Sequence, residues 1–330
     1  MRNSFISSFE NRKIYKIKIS HVLLFLLFFA VSFTCCEIIN NFFVIHLAQN
    51  FVTLKFFEEE KNNIKILLYG DSHFVYGIDK RYFRDDTFNL SFNGASYIQL
   101  YYLLKYYIPK APSLKYVVLG IDFNYFSSVT MDRNDEHIFW DRFIDYAELT
   151  RIKGSKAIRH RFYISLLDSG VGRKSFLANL RNFIIEGGLP KESLLRNKEI
   201  MVNGFVDSNK AFRSVEYHFS KKNVFDRVLL VYFEKILQLC AQHDILVITM
   251  LMPASKDYIK YAEQYITKSD LVHKILENPH YAKLIYKNFD YLDTYINRDD
   301  FFIDDGDHLD VEGGVAFSKL FSTELYNHVK

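Results

Sequence analysis

The sequence predicts an α/β fold: a doubly wound, mostly parallel sheet in three layers, with helices on both faces. Between residues 64 and 330, short apolar runs that end at polar or glycine-containing turns alternate with segments of helical apolar spacing. The runs are apolar throughout, which is typical of parallel strands whose two faces are both covered. With 330 residues, 49% of them hydrophobic, the chain can form a large core.

Five segments are predicted strands and three are predicted helices. The strands are residues 64–70, 88–92, 116–122 and 245–252, with a weaker pattern near 289–292, and the helices are residues 97–107, 224–240 and about 311–328. The interval 126–223 has no strong strand and is too long for a plain loop, so it predicts an inserted helical cap.

The first 63 residues predict a membrane anchor and a linker. Residues 22–36 are uncharged and mostly apolar, and a helix extended to residue 47 would reach the roughly 20 residues that a bilayer requires. Basic residues are frequent before this run and the first one after it is Lys55, which orients the N-terminus toward the cytoplasm. The prediction is a basic cytoplasmic tail over 1–20, a transmembrane helix over 21–47, a linker over 48–63 with a polar hinge at 58–63, and an extracytoplasmic domain over 64–330.

Three other interpretations of the apolar run stay open: a cleaved signal peptide, a lipoprotein signal that ends at Cys35, and a buried core helix. Bulky Phe33 fits a processing site poorly, and basic residues on one side only argue against a core helix. A retained anchor is therefore the preferred prediction.

Charge and cysteine content argue against two classes of protein. A formal net charge of +3, without a basic and aromatic repeat, does not indicate nucleic-acid binding. Three cysteines, two of them in the apolar run, do not predict a disulfide framework.

Residues 150–222 form a basic segment, with fifteen Lys or Arg and six Asp or Glu, and the basic residues are densest from Arg151 to Arg161. This segment is either a solvated helical face or a surface that attracts anionic glycan or lipid headgroups.

Two short polar segments carry residues suited to nucleophilic catalysis. The sequence GDSH (residues 70–73) follows the first predicted strand, at the edge where parallel sheets bind their ligands. The sequence DGDH (residues 305–308) precedes the last predicted helix. A serine hydroxyl needs an adjacent base, and the base needs a group that orients it. We therefore predict Ser72 as nucleophile, His308 as base and Asp305 as the partner of His308.

Each of these residues also has a plainer interpretation. Ser72 could cap a helix, His308 could be an ordinary loop residue before the last helix, and Asp305 could be solvated. His73 could be an alternative base, although adjacent side chains on a turn rarely form a productive hydrogen bond. The acidic loop from Asp299 to Asp310 could bind Ca²⁺, but it lacks EF-hand spacing, so no metal is predicted.

The chain resembles the SGNH/GDSL hydrolase superfamily over most of residues 64–330, and particularly its membrane-anchored bacterial members, which include proteins that acylate teichoic acids or acetylate exopolysaccharides. The resemblance is carried by residues 70–72 in the first motif block, Asn93-Gly94 in the second, and Asp305-x-x-His308 with Leu309 and Gly313-Gly314 in the last. The third block departs from the usual Gly-x-Asn-Asp and reads Gly120-Ile121-Asp122-Phe123-Asn124.

The resemblance implies a flavodoxin-like three-layer fold and an oxyanion hole from Ser72, Gly94 and, as the nearest candidate in the third block, Asn124. It implies an extracytoplasmic serine esterase or O-acyltransferase that forms an acyl-Ser72 intermediate on a cell-envelope polysaccharide or glycolipid. A multispan membrane acyltransferase is a candidate partner, and neither nucleic acid nor a cofactor is expected, since no GxGxxG or Walker loop occurs. The alternative is a noncatalytic accessory module of the same fold that binds glycan or such a membrane partner.

Overall fold

The fold is a five-stranded parallel sheet with helices on both faces. A computed structural model of the chain describes residues 23–32, 49–131, 143–144, 146–153, 205–220 and 223–329. In these residues the strand order is β2-β1-β3-β4-β5, and every pair of neighbouring strands is parallel. The predicted α/β class with a parallel sheet is confirmed.

The described elements alternate along the chain as the apolar pattern predicts. The strands are β1 (Ile66–Tyr69), β2 (Thr87–Asn89), β3 (Tyr116–Gly120), β4 (Leu246–Leu251) and β5 (Ile285–Asp290). The helices are α1 (residues 23–32), α2 (Gln49–Glu60), α3 (Ser72–Gly77), α4 (Tyr97–Tyr107), α5 (Ser128–Met131), α6 (Tyr146–Lys153), α7 (Ser208–Phe219), α8 (Arg227–Gln242), α9 (Lys256–Ala262), α10 (Lys268–Leu271), α11 (Pro279–Ala282) and α12 (Val311–His328). Short 3₁₀ segments cover Lys80–Tyr82, Ile108–Lys110 and Asp299–Phe301, and a π-helical turn covers Val272–Leu276.

Local capping explains where two of the predicted helices begin. Helices α4 and α12 have the predicted bounds, and α12 begins after Asp310, whose side chain accepts from the Gly313 N–H at 2.8 Å. Helix α8 begins at residue 227 rather than 224, because the Asp226 carboxylate accepts from the N–H groups of Val228 and Leu229. Asp is a favoured N-cap because it satisfies backbone donors that have no intrahelical acceptor.

Two apolar cores cover the two faces of the sheet. Alternate residues of a strand point to opposite faces. Leu67 and Leu119 accordingly join the core formed with α2, α4 and α8, and Leu68 and Val118 join the core formed with α3 and α12. The two cores cover the faces of the sheet and not its edges. The carboxyl ends of β1, β2 and β3 carry loops at one such edge.

Helix α2 occupies most of the segment that the sequence predicts as a linker and hinge. Leu54 and Phe57 on this helix are almost completely buried. The Phe57 ring lies edge-on to Phe88 on β2, with centroids 5.2 Å apart, and to Tyr107 on α4, at 4.9 Å. The polar composition near Glu60 therefore marks the end of a core helix rather than the whole of a flexible connection.

The predicted membrane anchor lies mostly outside the described residues. Helix α1 covers residues 23–32, and its large apolar side chains are 54% to 71% exposed. Within the described ranges, no helix combines the length and the apolar character needed to cross a bilayer. Residues 1–22 and 33–48 are outside those ranges, so the tail and the anchor remain predictions.

The described parts of the predicted insertion contain three helices. They are α5, α6 and α7. Arg151 and Lys153 of the basic cluster lie on α6, where Arg151 forms an ion pair with Glu148. The cluster residues from Lys156 to Arg161 lie outside the described residues. Helix α7 packs into the domain through buried Ala211, Val215 and Phe219.

The burial of Phe57 predicts that α2 is an integral part of the folded domain. We expect Phe57→Ala to reduce the free energy of unfolding by about 3 to 5 kcal/mol, because it removes a large buried ring and leaves a cavity. Lys55→Ala on the exposed side of the same helix should change it by less than about 0.5 kcal/mol. Chemical denaturation of the two variants measures the difference, and equal stability would show that α2 is only a linker.

Candidate active site

The GDSH segment forms a tight turn between β1 and α3, here named the serine turn (residues 70–73). The Gly70 N–H donates to the Ser91 hydroxyl at 2.9 Å, which ties the turn to the segment after β2. The Asp71 N–H donates to the buried Tyr125 hydroxyl, which ties it to the segment after β3. Asp71 caps α3 by accepting from the His73 N–H at 2.9 Å. Ser72, partly exposed, is the first residue of α3.

The DGDH segment lies in a second tight loop, here named the histidine loop (residues 303–308). An isolated antiparallel bridge between Phe302 and Leu309 closes its base, and the Ile303 N–H donates to the His308 carbonyl at 3.0 Å. Gly306 lies in the left-handed region, with φ of 66°. Its N–H still donates to the Ile303 carbonyl at 3.0 Å. A residue with a side chain would be strained at this position.

Packing of α12 against α3 brings the two segments together. A methyl group at Gly314 would lie 2.8 Å from the carbonyl oxygen of Tyr76, so Gly314 permits a close approach of the two helices, whereas Gly313 leaves room for the carbonyl oxygen of Phe301. The Ser318 hydroxyl on α12 also donates to the Gly77 carbonyl at 3.1 Å. The histidine loop ends shortly before α12 and the serine turn includes the first two residues of α3, so the helix contact places the two loops side by side.

Ser72, His308 and Asp305 form a continuous hydrogen-bonded chain. Nε2 of His308 lies 2.8 Å from Oγ of Ser72, and Nδ1 of His308 lies 2.8 Å from Oδ2 of Asp305. The other carboxylate oxygen of Asp305 accepts from the backbone N–H groups of Asp307 at 2.9 Å and His308 at 3.2 Å. These contacts hold Asp305 as an acceptor, so the neutral form of His308 would carry its proton on Nδ1 and accept from the serine on Nε2.

The surroundings of His308 make it a stronger base than a free imidazole. Burial opposes its charged form, but the carboxylates of Asp307 and Asp305 outweigh burial, and the net effect raises the pKa of His308 above its usual value. A positive charge on His73 would work in the opposite direction. The Tyr76 ring lies edge-on to the imidazole, with centroids 5.5 Å apart.

His73 does not reach the serine as a base, because both of its ring nitrogens contact carboxylates. Nδ1 lies 2.8 Å from Oδ1 of Asp71, and Nε2 lies 2.8 Å from Oδ1 of Asp307. The His73 ring is stacked on that of His308, with centroids 4.9 Å apart and planes 20° from parallel. The geometry therefore does not support the alternative interpretation of His73 as the base for Ser72.

Asp307 is the buried centre of the cluster, a role that the sequence pattern does not indicate. Its side chain is fully buried, 2.8 Å from His73, 3.8 Å from His218 and 3.9 Å from His308. Burial alone would favour the neutral carboxyl, but the three histidines outweigh it and hold the pKa of Asp307 well below its usual range. His218 comes from α7, where its Nδ1 lies 2.8 Å from the Tyr258 hydroxyl.

The third motif block lies behind the serine turn. The Asn124 amide is buried and donates to Oδ2 of Asp71 at 3.4 Å. Asp122 accepts from the Met252 N–H at 2.6 Å, and its other oxygen lies 3.8 Å from Nδ1 of His73. Asn124 thus lies next to the serine turn, where its side-chain amide contacts Asp71. Its role as an oxyanion donor remains a prediction.

The other two predicted oxyanion donors lie at the same edge of the sheet. Gly94 is buried in the turn after β2, with φ of 71°, in the left-handed region that favours glycine. The Phe92 N–H donates to the Gly70 carbonyl at 3.3 Å, so this segment runs beside the serine turn. The Ser72 N–H is at the first position of α3, where backbone donors have no intrahelical acceptor. No contact among the described residues tests whether the N–H groups of Gly94 and Ser72 act as oxyanion donors, so both roles remain predictions.

Ligand atoms of His73, Asp307 and His308 lie within 4.8 Å of one another, as do those of Asp71, His73 and Asp122, and both spacings could hold a metal ion. In the structure, the ring nitrogens of the two histidines contact carboxylates or Ser72. A metal would have to displace these contacts. In the acidic loop considered for Ca²⁺, two of the aspartates make other contacts: Asp304 forms an ion pair with Lys210, and Asp310 caps α12.

A surface depression of about 530 Å³ lies away from this cluster. Its lining residues are Val224, Phe225, Tyr265, Ile266, Asp270, His273 and Lys274. None of them belongs to the serine turn or the histidine loop, so the chemistry of the site does not depend on this depression.

The fold and the site define the chain as a parallel α/β domain of strand order 2-1-3-4-5, consistent with an SGNH-like fold, that carries a serine, histidine and aspartate in hydrogen-bonded sequence. In comparisons with known proteins, no family model matches the chain, and no curated protein is significantly similar to it. The fold class therefore rests on the topology of the chain itself.

The contact between Tyr125 and the serine turn predicts a stability effect. We expect Tyr125→Phe to lower the free energy of unfolding by about 1 to 3 kcal/mol, because it leaves the buried Asp71 N–H without its acceptor. Tyr281→Phe is the matched control, since this buried ring packs on Phe233 and has no described hydroxyl hydrogen bond. Denaturation curves compare the two, and equal losses would contradict the role of the Tyr125 hydroxyl.

Proposed function

We propose that the chain is an extracytoplasmic serine esterase or O-acyltransferase of the SGNH type. The observation that carries the proposal is the chain of two 2.8 Å contacts from Ser72 through His308 to Asp305. Ser72 is partly exposed, so an ester can reach its hydroxyl, while His308 is shielded enough to keep a fixed orientation. This combination of nucleophile, base and orienting carboxylate is what acyl transfer through serine requires.

In the proposed reaction, Oγ of Ser72 attacks the ester carbonyl while its proton passes to Nε2 of His308. The tetrahedral intermediate collapses, the C–O bond to the alcohol breaks, and His308 returns the proton to the leaving oxygen. Water or a carbohydrate hydroxyl then attacks the acyl-Ser72 ester, with His308 as base again, and Ser72 leaves with its proton. Asp305 stabilises the imidazolium at each stage.

The proposed oxyanion donors are the backbone N–H groups of Ser72 and Gly94 and the Asn124 side chain. The proposed substrates are acyl esters of cell-envelope polysaccharide or glycolipid. They follow from the resemblance of the motifs, the predicted anchor that would hold the domain outside the membrane, and the basic segment 150–222, which would attract anionic glycans. The membrane and a multispan acyltransferase are the proposed partners.

A noncatalytic accessory module is the second candidate function. The departure in the third block favours it, because the described contact of the Asn124 amide is with Asp71. In that case the serine would be hydrogen bonded but not chemically activated, and the fold would serve to bind glycan or a membrane partner.

Covalent labelling separates the two candidates. We expect a fluorophosphonate probe to label the full-length protein at Ser72, and Ser72→Ala or His308→Ala to abolish labelling and to lower turnover of a model acyl ester by several orders of magnitude. Ser269→Ala, a change at an exposed serine on α10, should have no effect. Adding His308→Ala to Ser72→Ala should cost little more, because the residues act as one unit. Labelling that persists in Ser72→Ala would remove the proposal, and absence of labelling in the parent protein would favour the accessory module.

The raised pKa of His308 predicts the acid side of the pH profile. His308 must be neutral to accept the serine proton, so kcat/KM should fall as the pH drops through its raised pKa, above the usual value of 6.5. Asp305→Asn removes a carboxylate that raises this pKa. The acid limb should therefore move to lower pH while the maximal rate falls. An acid limb that moves upward in Asp305→Asn would contradict the assignment of His308 as the base.

A further inference from the structure

His73 is buried and is bound on both sides by carboxylates. Its side chain is 5% exposed, and each ring nitrogen lies 2.8 Å from a carboxylate oxygen, of Asp71 on one side and of Asp307 on the other. Asp71 adjoins it in the serine turn, whereas Asp307 is 234 residues away along the chain. The histidine therefore joins two segments whose meeting creates the site.

The geometry determines the charge of His73. A neutral imidazole has one nitrogen that donates and one that only accepts. If His73 were neutral, its unprotonated nitrogen would face a carboxylate oxygen at 2.8 Å, which is repulsive when that carboxylate is ionised. Asp71 accepts from the His73 N–H and the Asn124 amide, and Asp307 is surrounded by three histidines, so the environment favours the ionised form of both carboxylates.

We propose that His73 is a positioning residue: a buried imidazolium, held between Asp71 and Asp307, that fastens the serine turn to the histidine loop. Its second effect is electrostatic. Asp307 lies 3.9 Å from Nδ1 of His308 and would increase the basicity of His308 if it were uncompensated. The His73 charge offsets that carboxylate directly, on a ring stacked against His308.

The charged and titratable groups around these two rings come from several elements. His308 faces Asp305 and Asp307 of its own loop, His73 and Tyr76 of α3, and the Ser72 hydroxyl. His73 faces Asp71, Asp122 and Asp307, and Asp307 also faces His218 of α7, which contacts Tyr258 of α9. Of the two carboxylates nearest to His308, Asp305 has one histidine partner, while Asp307 shares its charge among three.

The catalytic meaning of this arrangement rests on the proposed function. Without His73, Asp307 would lose its nearest cation and would hold His308 more firmly in the protonated form, which cannot accept the serine proton. With His73 in place, Asp305 orients His308, and Asp307, which anchors the loop, raises the pKa of His308 less than it would without the opposing charge of His73. The charge of His73 itself follows from geometry and does not require the chain to be an enzyme.

The test uses NMR of the full-length protein in detergent micelles, with ¹⁵N-labelled histidine, so it does not depend on turnover of any ester. In the parent protein we expect both His73 ring nitrogens to carry protons throughout about pH 5.5 to 8.5, whereas an exposed histidine titrates in that range. His243→Gln removes one exposed histidine, assigns that reference signal and should leave His308 unchanged. A neutral His73 at about pH 7 would overturn the proposal, even if the variants below do not fold.

The variants test the effect on His308. His73→Gln should raise the midpoint of the His308 titration by about one pH unit, a roughly tenfold change in proton affinity, because the charge of Asp307 is uncovered. His73→Gln combined with Asp307→Asn removes both charges and should bring the midpoint back to the parent value or below it, because Asp307 raises the pKa of His308 more than His73 lowers it. An acid limb of kcat/KM that moves in the same way would extend the effect to catalysis.

Two outcomes contradict the proposal, and both differ from a failure of the proposed function. A His308 midpoint that stays unchanged in folded His73→Gln would mean that His73 acts through packing alone. A double variant shifted as far as the single variant would mean that Asp307 does not transmit the effect. Absence of esterase activity in the parent protein would remove the proposed reaction but would leave the NMR result standing.

Discussion

The ion pair between His73 and Asp307 is the contact on which the rest of the site depends. Asp307 is fully buried, and an isolated buried carboxylate would be too costly to keep ionised. His73 compensates that charge with a hydrogen bond, and loss of one partner in such a pair typically costs about 3 to 5 kcal/mol. His73 belongs to the serine turn and Asp307 to the histidine loop. The contact that compensates the buried charge therefore also holds these two segments together. Together with the packing of α12 on α3, this contact sets the positions of Ser72 and His308.

The histidine loop gives different tasks to two aspartates that are almost adjacent in sequence. Asp305 is partly exposed, accepts two backbone N–H groups of its own loop and turns its second oxygen to His308. Asp307 points inward to His73. The left-handed Gly306 between them lets the chain reverse tightly enough for one carboxylate to face His308 and the other to face the interior. Orientation of His308 and anchoring of the loop are therefore performed by separate groups.

Local patterns predicted much of the fold and the outer part of the site. Apolar runs such as 245–252 identify strands, helical spacing identifies α4 and α12, and the spacing of Asp305 and His308 indicates their contact, because each of these is a short-range property of the chain. The inner part of the site is long-range. Nothing near residue 73 indicates a partner at residue 307, and the sequence prediction accordingly considered His73 only as a base for its neighbour Ser72. Helix α2 was predicted as a linker because its polar residues are visible in the sequence, while the packing of Phe57 on Phe88 and Tyr107 depends on the tertiary structure.

The departure in the third motif block has a physical interpretation in the same cluster. Asp122 is a further buried carboxyl beside His73, and it accepts from the Met252 N–H. Burial and the nearby charge of Asp71 raise the pKa of Asp122 to about 7, although the charge of His73 opposes this shift. Asp71 and Asp307 already provide two negative charges around one imidazolium, so a third ionised carboxylate would lack a cation of its own. A neutral or half-protonated Asp122 avoids that excess. The residues between Gly120 and Asn124 thus complete the surroundings of His73, and their identity is constrained by the charge balance of the interior as well as by any contact with a substrate.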